Sequence, residues 1–299
     1  MRGFLNLGNT CYFNSVVQCL LHIPVLSNYF LKTNYKGDCE FTKLYQTLVK
    51  FYWVSEEKGC INLKPLMREF FKHFPRFDNA DPQDAQEAIL CIIDILERSC
   101  PIIKSWFYGK KTQETVWPGG KTSTSEDFSI HITSTNGDNL GEMLNKSTGW
   151  NVIENFEDTN GKIHNVATTR MLFSKLPQVL IISLDKKTNI SVIEKLLIDK
   201  YEYNLIASAT HIGNEMDGHY VSFVRREDKW YSANDEFLNE INLLTSGGHY
   251  VMVYNLKTPS SEYLLWYLWW YYRMFGDYLG VSYLGASFVV STTMVHPPK

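Results

Sequence analysis

The sequence predicts an α+β fold, and three observations carry that prediction. Apolar residues recur at helical spacing through the first hundred residues, whereas from Trp106 onward the apolar runs are short and β-like. Clusters of Gly, Asn and Asp punctuate only the second part as turn signals. A helical half followed by a strand-rich half is the α+β pattern. Phe13, Val16, Val17, Leu20 and Leu21 place a buried helix over 11–23, and Pro24 ends it. A mostly helical stretch follows from about Thr42 to Phe74, broken near Gly59. Asp81-Pro82-Gln83-Asp84 reads as a helix start, with Asp81 at the N-cap, Pro82 first and Asp84 third. Ile89, Ile92, Ile93 and Leu96 then form one apolar face. Strands are expected over 128–132, 178–184, 203–208, 220–224 and 249–254, with turns at 136–138 and 158–161.

Composition narrows the function. The 299 residues carry 29 basic and 32 acidic side chains, for a net charge of -3, and 44% are hydrophobic. That balance suits a globular core and argues against disorder and against a strongly basic nucleic-acid binder. Six cysteines, at 11, 19, 39, 60, 91 and 100, all lie in the first third, without C-x-x-C spacing and without a signal peptide. A disulfide scaffold and a cysteine-bound zinc are therefore not expected, and the reading is a cytoplasmic or nuclear protein with reduced thiols.

One of those thiols stands apart. Cys11 opens the first helix behind Asn6-Leu7-Gly8-Asn9-Thr10, where the helix dipole is expected to lower its pKa. A cysteine nucleophile needs a base, and the base needs an acceptor that fixes its tautomer. Gly218-His219-Tyr220 opens a strand, and Trp230 to Asp235 returns after the charged hairpin 225–229, which brings His219 near Asn234 or Asp235. The other seven histidines have no comparable context. The residues alone leave a cysteine hydrolase and a structural cysteine both open.

The stretch from Gly3 to Leu20, GFLNLGNTCYFNSVVQCL, closely resembles the cysteine box of the ubiquitin-specific proteases. Gly218-His219-Tyr220-Val221-Ser222-Phe223 through Trp230-Tyr231 to Asn234-Asp235 resembles that family's histidine box, and Pro82 to Glu87 resembles its glutamine-aspartate box. Leu176 to Leu184 falls in the expected order between them, and the likeness spans roughly residues 3 to 256. It implies a papain-like cysteine protease with a helical thumb, a β-rich palm and short fingers, and a catalytic domain over 1–257. Residue by residue it implies Cys11 as nucleophile, His219 as general base and Asn234 as the residue that orients it. Asp235 is implied as a helper that polarises a water or holds the oxyanion side, and Asn6 as the oxyanion donor. Gln83, Asp84, Glu87, Gly218 and Tyr220 become candidates for substrate binding. The implied partners are ubiquitin or ubiquitinated proteins, and the implied chemistry needs no cofactor. Two alternatives stand beside a deubiquitinase: a protease for a ubiquitin-like modifier, and an inactive ubiquitin-binding scaffold.

The likeness has gaps. Many relatives hold zinc between two C-x-x-C pairs in the fingers. Here Trp117-Pro118-Gly119-Gly120 and the cysteine-free 155–162 stand in those places, so no metal is expected. Pro82 and Ala88 depart from the glutamine-aspartate box, and Asp185-Lys186 replaces a basic pair after the apolar strand. Beyond the expected catalytic domain, residues 258–299 form an apolar tail that holds 11 of the 43 aromatic residues. Only Arg273 and Asp277 are charged between Tyr263 and Val295, so membrane association through this tail is weighed against an apolar flap or a partner-binding segment.

Overall fold

Helices in a computed structural model of the chain begin with α1 (Cys11–Leu21), which is buried on every side except at Cys11. Its polar residues are therefore bonded inward: Gln18 donates to the Arg2 carbonyl at 2.8 Å and accepts from the Tyr52 hydroxyl at 2.9 Å. α2 (Pro24–Lys32), α3 (Glu40–Val54), α4 (Lys64–His73), α5 (Ala85–Ser99) and α6 (Ile102–Phe107) complete the thumb. Pro24 does not simply stop the first helix; it opens α2 at the first position, where its missing N–H costs nothing. α5 begins three residues later than expected, because Asp84, not Asp81, accepts from the N–H groups of Gln86 and Glu87. Ile89, Ile92, Ile93 and Leu96 are buried as the spacing predicts. The structure describes residues 1–79, 81–185, 190, 192–213, 218–244 and 247–257. Lys186 and the 258–299 tail, with its weighed membrane association, lie outside the described residues.

Two sheets follow. β1 (Gly109–Trp117), β2 (Gly120–Phe128), β4 (Asn151–Glu157) and β5 (Ile163–Lys175) form the antiparallel fingers in the order β2-β1-β5-β4. Between them run β3 (His131–Thr133) and a helix that the β-like texture hides, α7 (Leu140–Thr148). Its start was legible after all: Asn139 accepts from the N–H of Glu142, and the Glu142 carboxylate accepts from the N–H of Asp138, close to a capping box. The palm is built from β6 (Val179–Leu184), β7 (Lys195–Ile198), β8 (Tyr201–Ile212), β9 (His219–Arg226), β10 (Lys229–Asn234), β11 (Phe237–Ile241) and β12 (His249–Leu256). Its order is β11-β10-β9-β8-β12-β6-β3, with β7 paired to β8. β6 is buried along its whole length, which explains its unbroken apolar run. α1 packs directly on β9 and β8, so the two expected catalytic segments meet across the thumb–palm boundary.

At the finger tips, side-chain packing joins β1, β4 and β5. Trp117 packs on Phe156 with centroids 5.2 Å apart and on His164 at 5.7 Å. His164 Nε2 lies 2.9 Å from an Asp158 carboxylate oxygen, and Asp158 also accepts from the N–H groups of Asn160 and Lys162. These bonds, His164 foremost, hold the Asp158 carboxyl below its ordinary range.

Where the fingers join the palm, His131 is 4% exposed between Phe128 and Phe173, and among the described residues neither ring nitrogen has a hydrogen-bond partner. Burial pushes its pKa down from 6.5 to about 4. The unfolded imidazole takes a proton near pH 6.5 and the folded one only near 4. Stability is therefore fully present above 6.5 and falls by up to about 3 kcal/mol as pH drops to 4. We expect His131→Phe to raise stability by about 1 kcal/mol at neutral pH and to flatten this acid loss. Urea unfolding at a series of pH values measures both.

Candidate active site

The surroundings of Cys11 are built by a left-handed loop. Gly8 and Asn9 adopt φ of +95° and +50°, folding residues 6–10 back over the start of α1. The Asn6 side-chain oxygen accepts from the N–H of Gly8 at 3.0 Å and from the Thr10 hydroxyl at 3.3 Å. Its amide nitrogen donates to Asp235 at 2.8 Å. A carboxamide has two N–H groups, and Asp235 takes one of them. The backbone N–H of Cys11 belongs to the first helical turn, whose donors have no partner within the helix.

His219 starts β9 and Asn234 ends β10, and the hairpin register brings them together. His219 Nε2 stands 2.7 Å from Asn234 Oδ1. An amide oxygen only accepts, so Nε2 carries the hydrogen and the neutral ring keeps Nδ1 as its basic nitrogen. The N–H of Tyr220, the residue after His219, reaches the Cys11 sulfur. Cys11 itself departs from the expectation based on the helix dipole. Burial raises its pKa above the ordinary 9.0 and the Asp235 charge adds to that, outweighing the N–H groups of Tyr220, Tyr12 and Cys11 that pull it down. The environment thus opposes formation of the thiolate.

Asp235 is the hub of the site. One carboxylate oxygen accepts from Asn6 and lies 3.7 Å from His219 Nε2; the other accepts from Asn14 at 2.8 Å. Its backbone carbonyl accepts from the N–H of Phe4 at 2.7 Å, and its φ is +47°. Gly3 makes this approach possible, since a Cβ there would fall 2.5 Å from the Asp235 carbonyl oxygen and 2.2 Å from that of Glu236. The carboxylate thus ties Asn6 and Asn14 to the His219 side of the site. Asn14 escaped the sequence reading: it is a buried Asn one turn after Cys11, also 3.3 Å from the Leu5 carbonyl, and its partner is 221 residues away. The signal for it was a polar residue beside Ser15 and Gln18 in a helix whose other residues after Cys11 are apolar or aromatic. We expect Asp235→Ala to lower kcat by roughly 10²–10³-fold with little change in KM, because the Asn6 donor loses its anchor. Hydrolysis of a fluorogenic ubiquitin amide, beside a thermal melt, reads both.

From Cys11 a channel of about 230 Å³ runs between thumb and palm, lined by Pro82, Gln83, Asp84, Gly218 and Tyr220 among others. Asn9, Tyr12 and His211 also line it and were not anticipated. Gln83 donates to Asn79 Oδ1 at 2.7 Å. Asp84 has both oxygens engaged, one in the α5 cap and one accepting from Tyr250 at 3.0 Å. Ser183 donates to Gln86 at 2.6 Å, a second link from α5 to the palm. Glu87 lies apart from the channel lining, its carboxylate 3.6 Å from Arg76.

The family model described as ubiquitin carboxyl-terminal hydrolase matches residues 2–267. The chain is 35% identical over 109 residues to ubiquitin carboxyl-terminal hydrolase nonstop of Drosophila melanogaster, a match spanning 33% of this chain and 21% of that protein. It is 24% identical over 316 residues to ubiquitin carboxyl-terminal hydrolase 16 of Arabidopsis thaliana, spanning 88% of this chain and 31% of the other. Against ubiquitin carboxyl-terminal hydrolase 51 of Mus musculus the identity is 25%, over 87% of this chain and 52% of that protein. The chain thus spans from about a fifth to about half the length of these relatives. Among solved structures, the SAGA Ubp8/Sgf11/Sus1/Sgf73 DUB module bound to ubiquitin aldehyde shares the fold, with a TM-score of 0.74 at 20% identity, over 86% of this chain and 70% of that one. The thumb, palm and fingers are those of the papain-like fold.

Proposed function

The chain belongs to the ubiquitin carboxyl-terminal hydrolase family, and from that membership we propose that it is a thiol-dependent deubiquitinase. It cleaves the isopeptide or peptide bond after the C-terminal glycine of ubiquitin. One observation carries the proposal: His219 lies 2.7 Å from Asn234 and is flanked by Gly218 and Tyr220, which line the same cavity as Cys11. A slot of that size suits an extended tail with little side-chain bulk.

The chemistry follows from the groups present. His219 Nδ1 takes the Cys11 proton, and the thiolate attacks the glycine carbonyl. The oxyanion is held by the second N–H of Asn6 and by the N–H of Cys11, each such donor being worth about 3 kcal/mol in the transition state. His219 then protonates the departing lysine amine. Water, deprotonated by the same ring, opens the thioester and restores the thiol. Gln83, Asp84, Gly218 and Tyr220 shape the tail channel, while Glu87 stands apart from it beside Arg76. The cysteine pattern supports a cytoplasmic or nuclear setting.

The test is labelling by suicide probes that carry an electrophile at the C-terminus of ubiquitin or of a ubiquitin-like modifier. Selective adduct formation with the ubiquitin probe at Cys11 is the expected result. Preference for the modifier probe would instead make this a modifier protease, and labelling by neither would leave an inactive binding scaffold.

A further inference from the structure

A second cavity, of about 810 Å³, lies beside the channel and shares Asn9 and Tyr12 with it. One wall is the Leu7–Thr10 loop that joins the oxyanion donor to the nucleophile; the other is α4. Lys64, Arg68 and Lys72 line it four residues apart, hence on one face of the helix. Met67 and Phe71, between them in sequence, supply apolar floor. The pairing of these cations is uneven. Lys72 bonds to Glu69, whereas among the described residues neither Lys64 nor Arg68 sits in an ion pair. Asp78 is the only acidic residue of the lining. In a chain of net charge -3, unpaired cations gathered beside a catalytic loop are a local departure from the whole.

We propose that this groove binds an acidic segment of the protein whose lysine carries ubiquitin, next to the scissile bond. The inference rests on the deubiquitinase reading and extends it to the leaving group. The channel takes what precedes the scissile carbonyl, and the lysine side of the bond emerges over the loop that walls the groove. Exposed cations on a helix face attract carboxylates and select by charge, while Met67 and Phe71 accept the apolar parts of the same segment. Recognition of this kind acts on protein conjugates and not on the tail itself.

The experiment compares three substrates: a fluorogenic ubiquitin amide with no protein leaving group, and two isopeptide-linked ubiquitin–peptide conjugates. In one conjugate Asp and Glu flank the lysine, and in the other neutral residues do. The full chain is compared with Lys64→Glu/Arg68→Glu, and with Lys64→Ala/Arg68→Ala should the reversal fail to fold. The wild type should cleave the acidic conjugate about tenfold better than the neutral one at low salt, with the advantage shrinking as salt is raised. The variants should lose that preference and hydrolyse the fluorogenic amide at the wild-type rate. An equal acidic-to-neutral ratio in wild type and variants, or equal damage to all three substrates, would overturn the proposal. If the wild type cleaves none of them, the deubiquitinase reading is what fails. Anisotropy of the labelled acidic peptide then reads the groove alone: weaker binding to the variants upholds it, and unchanged or salt-insensitive binding removes it.

Discussion

Cys11→Ala loses turnover of a ubiquitin amide by on the order of 10⁶-fold, while its affinity for ubiquitin stays within a small factor of wild type. The size of the loss comes from the chemistry. Without the sulfur there is no covalent intermediate, and direct attack by water must use an oxyanion site and a histidine arranged for a different nucleophile. The retained affinity follows from the structure, because the substitution removes one half-buried atom and leaves the channel walls standing. α1 is otherwise fully buried and Ala is the best helix former, so the helix that carries position 11 keeps its place. Progress curves and titration with labelled ubiquitin give the two numbers. Retained cleavage by the variant would remove Cys11 from the mechanism.

His219→Ala approaches the same loss near pH 7, and its residual rate has a diagnostic shape. The Cys11 pKa is raised, first by burial and then by the Asp235 carboxylate, so the variant holds almost all of its nucleophile as thiol. Below that raised pKa the thiolate fraction grows tenfold per pH unit, and the residual rate should climb by about that factor per unit from pH 7 to 9. The wild type avoids this dependence because the ring takes the proton during attack. Asn234→Ala belongs to the same series: it removes the acceptor that keeps hydrogen on Nε2 and frees the ring to adopt the wrong tautomer. Rate–pH profiles of the three proteins separate supply of the proton acceptor from its orientation.

How far the sequence reaches depends on where the determining contact lies. Helix faces and the buried strand β6 were legible because periodicity is a local property. Cys11 and His219 drew notice because each sits in a distinctive stretch; hairpin spacing left Asn234 and Asp235 both open beside His219, and the family resemblance pointed to Asn234, which lies 2.7 Å from it. The errors have local causes of their own. Pro24 serves as both an end and a beginning, and Asp81-Pro82 imitates a cap that Asp84 actually makes. The sign of the Cys11 shift could not be read, since the dipole is a property of the helix but burial is a property of what packs on it. Asn14 and Asp235 meet across 221 residues, and nothing near either one announces the other. The groove on α4 has the same character: its cations are plain in the sequence, but the loop that faces them is about sixty residues upstream.

The links between α5 and the palm set the gauge of the catalytic slot. Tyr250 holds Asp84 at 3.0 Å and Ser183 holds Gln86 at 2.6 Å, and of these four only Asp84 lines the channel. The width offered to a tail is thus fixed largely by side chains standing behind the wall, as a shim fixes a clearance. Cys11 lines the same cavity, whereas the His219–Asn234 pair stands outside its lining. Tolerance for a thicker or thinner tail and the power to cut it are separately adjustable in this architecture.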